Sequence, residues 1–248
     1  MIERIIEIAK EAGNKILEFY DDEIVVEAKS DDSPLTKADL AAHHYIVDEL
    51  IKLDSSIPII SEESGVPEYA TRKNWIKYWL VDPLDGTKEF IKKNGEFTVN
   101  IALIEEGKPV LGVVYAPALQ VLYYAEKGLG AFKKVKEEST EQIFSKKADK
   151  SMPISIIESR SHGSSALEEF LQNEGINVKK RVKSGSSLKI CLVADGTADL
   201  YPRMGPTMEW DVGAGDAVYR YSAKEGIHDS GIKYNKENLL NPNFVIGW

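Results

Sequence analysis

Trp79-Leu80-Val81-Asp82-Pro83-Leu84-Asp85-Gly86-Thr87 runs from an apolar stretch straight into two carboxylates, a proline, a glycine and a hydroxyl. Trp79 to Val81 suit a buried strand, and Pro83 and Gly86 turn the chain as it leaves that strand, so Asp82 and Asp85 are expected at a strand end. Thr87 to Lys92 reads as a helical turn whose free N–H groups point back at Gly86 and Thr87, an arrangement that suits a phosphate oxygen. Gly86 leaves room for a close anion, and Asp82 and Asp85 offer the hard oxygen ligands with which magnesium bridges protein and phosphate. The stretch is a candidate metal and phosphate site. An ordinary Asp-Pro, Asp-Gly turn is the competing explanation.

The rest of the chain narrows the setting. With 248 residues and 43% hydrophobic content it can bury a substantial core, as one large domain or as two tightly packed halves. A net charge of −9 argues against binding a nucleic-acid polymer, whose affinity comes from many Lys and Arg contacts to phosphates, and leaves room for a small anionic substrate only where metal ions and a few placed cations offset the repulsion. The N-terminus is amphipathic and has no signal core, and the apolar stretch Val110 to Ala125 contains Pro117 and Gln120 and fits paired strands. No integral membrane segment and a cytoplasmic location are therefore expected. Cys191 is the only cysteine and lies in an apolar run, which suits a buried structural thiol.

Moving outward along the sequence, Ile2, Ile5, Ile6, Ala9, Ala12, Ile16 and Leu17 predict an amphipathic helix to about Tyr20, and Ile24 to Ala28 a strand. Thr36-Lys37-Ala38-Asp39 has the form of a capping box opening a second helix. Ile57 to Ile60 predicts a short strand ending in Ser61-Glu62-Glu63, so carboxylates again follow an apolar run, although solvated surface would also explain them. Phe97–Ile104, Pro109–Tyr115, Val121–Ala125 and Gly130–Phe132 read as an antiparallel meander. Composition turns charged from Lys133 to Lys150, which divides the chain into an N-terminal α+β part (1–135), a connection (136–150) and a C-terminal α/β part (151–248). The last part alternates strand and helix: Ile154–Ile157, a helix near Ala166–Asn173, Val178–Val182, a helix from about Leu188, and a strand at Ala198–Tyr201. Glu209-Trp210-Asp211 then introduces a small-residue helix, Val212 to Tyr219, with Asp211 at its N-terminus, where capping alone could account for it.

No P-loop, Gly-x-Ser-x-Gly elbow or His-Glu-x-x-His is present, and Gly213 to Val218 is only a faint dinucleotide fingerprint. The four histidines form no visible metal cluster, so a metal here would be oxygen-bound.

Together, Trp79 to Thr87 and Glu209-Trp210-Asp211-Val212-Gly213-Ala214-Gly215 resemble the paired signatures of the inositol monophosphatase superfamily of magnesium-dependent, lithium-sensitive phosphatases. The resemblance takes in Thr36–Asp39 and Ser61–Glu63. Ser184–Lys189, Tyr201–Thr207 and Leu240-Asn241-Pro242 look most like its CysQ-type 3′(2′),5′-bisphosphate nucleotidases, which remove the 3′-phosphate of adenosine 3′,5′-bisphosphate to give AMP. It implies a layered αβαβα sugar-phosphatase fold, α+β and α/β in character, with an antiparallel sheet in the N-terminal half and a smaller mixed sheet in the C-terminal half. It also implies two or three magnesium ions. Glu62, Asp82 and the carbonyl of Leu84 would hold one, and Asp82, Asp85 and Asp211 a second. Asp39 and Thr87 match the pair that orients the attacking water and receives its proton, and the backbone of Gly86 and Thr87 would hold the transferred phosphate. Inositol-preferring relatives carry an acidic residue where this chain has Arg203; a guanidinium there suits a second phosphate, with Ser186, Lys189 and His162 as helpers. A homodimer is compatible with the sequence.

Three other readings stay open at this point. One is an inositol or sugar-phosphate monophosphatase of the same fold. Another is a phosphoaspartyl phosphatase, whose Asp-x-Asp-Gly-Thr motif differs by the extra residue between Asp82 and Asp85. The third is a metal-dependent regulatory protein that has kept the pocket.

Overall fold

In the computed structural model, which describes residues 1–20, 27–28, 34–35, 37–160 and 165–248, the chain opens with α1 (Ile2–Leu17). Ile5, Ile8, Ala9, Ala12 and Ile16 are fully buried at helical spacing and make one apolar face. The expected strand at Ile24 to Ala28 is described only as β1 (Glu27–Ala28), paired antiparallel with β2 (Pro34–Leu35). Residues 21–26 and Thr36, the first member of the expected capping box, lie outside the described residues. The second helix, α2 (Lys37–Leu53), is followed by β3 (Ile59–Ser61), a 3-10 turn (Glu62–Ser64) and the short α3 (Tyr69–Arg72).

The strand β4 (Lys77–Asp85) runs four residues past the end expected at Val81. On β5 (Thr98–Glu105) Asn100 pairs with Asp82 and Thr98 with Asp85, and the register shifts between the two pairs, where Pro83 and Leu84 sit. A proline has no N–H to give to a ladder, so an irregularity at this point keeps pairing on both sides without stranding a donor. The helical turn expected at Thr87 forms as α4 (Thr87–Ile91).

The meander follows as expected through β6 (Lys108–Ala116), β7 (Val121–Glu126) and β8 (Gly130–Val135), and the unexpected β9 (Glu141–Gln142), inside the stretch read as a charged connection, extends it to a seven-stranded sheet ordered β3-β4-β5-β6-β7-β8-β9. Every pairing is antiparallel except that of the edge strand β3, which runs parallel to β4. Both faces of this sheet are covered. Trp79 and Val81 point into a cluster with α1 and α2, whereas Tyr78 and Leu80 point into the opposite cluster. Burial on both faces is why β4 reads as an unbroken apolar run rather than an alternation.

The second half comprises β10 (Ile154–Ser159), α5 (Ser165–Asn173), β11 (Val178–Ser184), α6 (Leu188–Ala194), β12 (Tyr201–Arg203), α7 (Glu209–Arg220) and β13 (Phe244–Ile246). Parallel β10-β11 and antiparallel β12-β13 are joined by a single parallel bridge, Ile156 to Leu200, which makes the smaller sheet mixed. That bridge is all Leu200 contributes, so the strand expected at Ala198 begins at Tyr201; α7 begins at Glu209, three residues before the expected Val212. α6 and α7 fill the space between the two sheets, and α5 covers the far face of β10 through Leu167 and Leu171 on Ile154 and Ile156. The order of layers is thus α1/α2, large sheet, α6/α7, small sheet, α5.

The small residues of α7 are packing residues. Its backbone approaches β6 so closely that a Cβ on Gly112 would lie 2.4 Å from the carbonyl oxygen of Ala214, while Gly213 faces Leu80 and Ala102. No helix among the described residues is long and apolar enough to cross a membrane.

Candidate active site

Parallel pairing with β4 brings the end of β3 beside the irregularity at Pro83, and so delivers Glu62 to Asp82. α7 enters from the other side of the cleft with Asp211 in its first turn, where the Asp211 carboxylate accepts the Met208 N–H at 2.8 Å. Carboxylate oxygens of Glu62, Asp82 and Asp211 all lie within 4.8 Å of one another. Asp82 is almost wholly buried and accepts the Leu84 N–H at 3.2 Å. Asp39, also buried, stands in the first turn of α2 and acts electrostatically on Asp82. Gly86 starts α4 with φ +89°, a left-handed conformation that suits glycine, and the Thr87 hydroxyl turns back 3.5 Å from the Leu84 carbonyl.

The cluster is electrostatically frustrated. Burial, then Glu62, Asp85, Asp211 and Asp39, push the Asp82 carboxyl well above its ordinary range. Burial and Asp85 push Asp211 up to about 8. Oxygen-only donors whose ionised forms repel one another in a buried setting match a hard divalent cation, which relieves the repulsion and satisfies the lone pairs. The residues present therefore fit magnesium.

A layer of polar groups fixes Asp85. Its Oδ2 accepts Ser186 Oγ at 2.7 Å, Ser187 Oγ at 3.1 Å and the Asn100 amide at 3.4 Å. The Ser187 hydroxyl also lies 2.5 Å from the Asp211 carbonyl and accepts the Asn100 amide at 2.9 Å, and Thr98 bonds both Asn100 and Ser186. Ser187, Asn100 and Thr98 were not singled out by the sequence reading. The available signal was that Thr98 and Asn100, two apart on one face, are polar residues at the start of a strand that is apolar from there to its last residue, Glu105.

These groups border a cleft of about 560 Å³. Its wall includes Glu62, Asp82, Leu84, Asp85 and Asp211, the whole expected ligand set, with Gly86, Thr87, Ser186, Lys189 and Arg203. Asp39 is not part of that wall, and His162 lies outside the described residues. Glu89, also unforeseen, reaches the cleft while buried and accepting the Asn94 amide at 3.0 Å. Lys189 donates to the Ser186 carbonyl at 2.5 Å, and burial lowers its ammonium to about 8. Arg203 donates to the Pro206 carbonyl at 2.8 Å, while its buried Nε has no hydrogen-bond partner among the described residues. Carboxylates and the cations Lys88, Lys189 and Arg203 share this one wall, which equips the cleft to grip a metal-bridged anion and a second negative group.

Comparison with known proteins agrees with this chemistry. The chain is 49% identical over 252 residues to the 3′(2′),5′-bisphosphate nucleotidase CysQ of Salmonella typhimurium, covering 99% of each, and 47% identical to the protein of that name from Escherichia coli K12, again covering 99% of each. Among solved structures, CysQ from Bacteroides thetaiotaomicron, described as a bacterial member of the inositol monophosphatase family, superposes with a TM-score of 0.81 at 42% identity, covering 98% of this chain and 95% of that one. The model of the inositol monophosphatase family matches residues 1–220, a span that contains every carboxylate of the cluster, and the chain belongs to that family.

Proposed function

We propose that the protein is a magnesium-dependent 3′(2′),5′-bisphosphate nucleotidase that hydrolyses the 3′-phosphate of adenosine 3′,5′-bisphosphate, giving AMP and phosphate. The observation that carries this reading is that one cleft is lined both by the carboxylates around Asp82 and by the cations Lys189 and Arg203, in a chain similar along its length to CysQ proteins.

Glu62, Asp82 and the Leu84 carbonyl would hold one magnesium, and Asp82, Asp85 and Asp211 a second, with Asp82 shared. Bound there, the ions would lower the pKa of a water and neutralise charge on the phosphate. The protein's own groups do the rest. Ser186, Ser187 and Asn100 hold Asp85 Oδ2 so that its other oxygen is directed to the cation. The Gly86 and Thr87 N–H groups at the start of α4 take the transferred phosphate. Thr87 Oγ1 would orient the attacking water and Asp39, behind the cleft wall in the first turn of α2, would receive its proton, while Lys189 and Arg203 would hold the second phosphate. Ser186 supports the substrate side through its contact with Lys189. His162, outside the described residues, remains the expected neighbour of the nucleotide. A cytoplasmic location stays part of this reading, and light scattering decides between monomer and homodimer.

The test is phosphate release from adenosine 3′,5′-bisphosphate, its sulfated relative, inositol 1-phosphate and fructose 1,6-bisphosphate, with and without magnesium. Preference for the nucleotide, dependent on magnesium, is the expected result. Preference for inositol 1-phosphate would move the protein to the monophosphatase reading, and no release from any of them would leave a non-catalytic binding role.

A further inference from the structure

The loop between β12 and α7, which lines the cleft and whose Pro206 carbonyl accepts Arg203, is held from outside by the segment 233–241. Arg72, buried at the end of α3, anchors one part of this segment: its guanidinium donates to Asn235 Oδ1 at 2.8 Å and to the carbonyls of Lys236 and Glu237, each at 2.7 Å. Glu209, with no exposed surface in the first turn of α7, accepts the Asn235 and Lys236 N–H groups and, at 2.7 Å, Lys236 Nζ. The same Lys236 Nζ donates to Asn241 Oδ1 at 2.9 Å. An acceptor oxygen fixed on an ammonium leaves the Asn241 amide nitrogen to point the other way. There it donates to Met208 O at 3.0 Å and Thr207 Oγ1 at 3.3 Å, and the Asn241 N–H donates to Thr207 O at 2.8 Å. Thr207 lines the cleft, and the neighbouring Pro206 carbonyl accepts Arg203 Nη2.

We propose that Asn241 is a positioning residue for substrate choice: oriented by Lys236, it fixes Thr207 and Met208 and thereby aims the Arg203 guanidinium at the substrate's non-reacting phosphate. Two features set this apart from ordinary packing. Asn241 is a buried amide whose two polar ends go to different places, the ammonium of Lys236 and the loop of the cleft. Arg203 meets the Tyr201 side chain on its own strand and donates to one backbone carbonyl, that of Pro206 in the loop, while its buried Nε has no partner among the described residues, so the position of the loop sets one of the two contacts that direct its guanidinium. The inference rests on the nucleotidase reading above.

Asn241→Asp is the informative variant. It keeps the volume and the partner of Lys236 but cannot donate to Met208 O or Thr207 Oγ1. Steady-state kinetics with adenosine 3′,5′-bisphosphate and with 3′-AMP, which lacks the second phosphate, give the readout. The expected result is a fall of about tenfold in kcat/KM for the bisphosphate, carried by KM, with 3′-AMP turnover, magnesium dependence and Tm near wild type. Asn241→Gln, which restores a donor, should recover part of the loss. Equal losses on both substrates, or none on the bisphosphate in a wild type that prefers it, overturn the inference alone. A wild type that treats the two substrates alike overturns the nucleotidase reading, and this inference with it.

Discussion

Ser187 spans the two halves of the site with one hydroxyl, reaching the Asp85 carboxylate, the Asp211 carbonyl and the Asn100 amide. Ser187→Ala should therefore weaken magnesium binding about tenfold, the usual cost of losing a group that orients a ligand, while unfolding free energy falls by only ~1 kcal/mol. Calorimetric titration with magnesium and a urea melt on the same variant separate the two effects; unchanged affinity would remove Ser187 from the site. Arg203 carries a different expectation. Arg203→Glu exchanges an attraction for a repulsion at the substrate's second phosphate, so kcat/KM for the bisphosphate should drop at least about tenfold and 3′-AMP far less. If Arg203 only ties its own loop through Pro206, both substrates lose activity together. Asp82 and Asp85 were legible in the sequence because a hard cation demands carboxylates and both stand where an apolar run ends, whereas Asp211, which capping alone could explain, was read as a ligand only through the family resemblance. Ser187, Asn100 and Thr98 were not, because a neutral hydroxyl or amide carries no signal of its own until β5 is paired against β4.

At the scale of elements, α7 is the part whose placement matters most, since it packs on the large sheet and carries Asp211 at its N-terminal end. Its depth is set by Gly112 on β6, where an added Cβ would meet the Ala214 carbonyl oxygen at 2.4 Å and the Ala217 Cβ at 2.6 Å. Both obstacles belong to a regular helix and cannot swing aside. Gly112→Ala should cost about 1–3 kcal/mol by overpacking and lower Tm by several degrees in a chain of this size. Because the displacement would carry Asp211 away from Asp82, apparent magnesium affinity should fall with it; a stable variant with normal metal affinity would show that α7 has slack. The faint dinucleotide pattern at Gly213 to Val218 thus has a packing origin. Element types were legible because β4, β5 and β6 are buried on both faces and the outer helices α1, α2 and α5 on one, whereas α6 and α7 are buried nearly all round between the sheets. Ends were less so. Pro83 suggests that β4 stops, yet pairing resumes at Asp85 after the register shift, since a proline inside a bulge withholds no ladder bond.

For the whole molecule, the layering that buries both sheet faces also buries the carboxylate cluster, so that protons and metal compete to neutralise it. The Asp211 carboxyl is raised from 3.8 to about 8 by burial and by Asp85, and Asp82 moves the same way. A carboxyl whose folded value lies above its unfolded one binds more protons in the folded state. Without metal its contribution is therefore fully present below about pH 4 and is lost as pH rises through about 8. Magnesium replaces those protons, and it binds only the ionised cluster. Its stabilising effect should thus run opposite to the proton's, small near about pH 5 and large near about pH 8. Asp216 provides an internal control. It is raised to about 6 by burial on the opposite side of α7, where the Tyr234 hydroxyl donates to it at 2.8 Å, and it belongs to no metal group. Its share of the pH dependence should be the same with and without magnesium. The measurement is Tm by calorimetry across this range, with magnesium and with a chelator, on the wild type and on Asp85→Asn. The wild-type increment should grow with pH, and that of Asp85→Asn should be smaller at every pH. An increment that is flat in pH, or equal in the two proteins, would mean that magnesium stabilises the chain elsewhere than at the strand-end carboxylates.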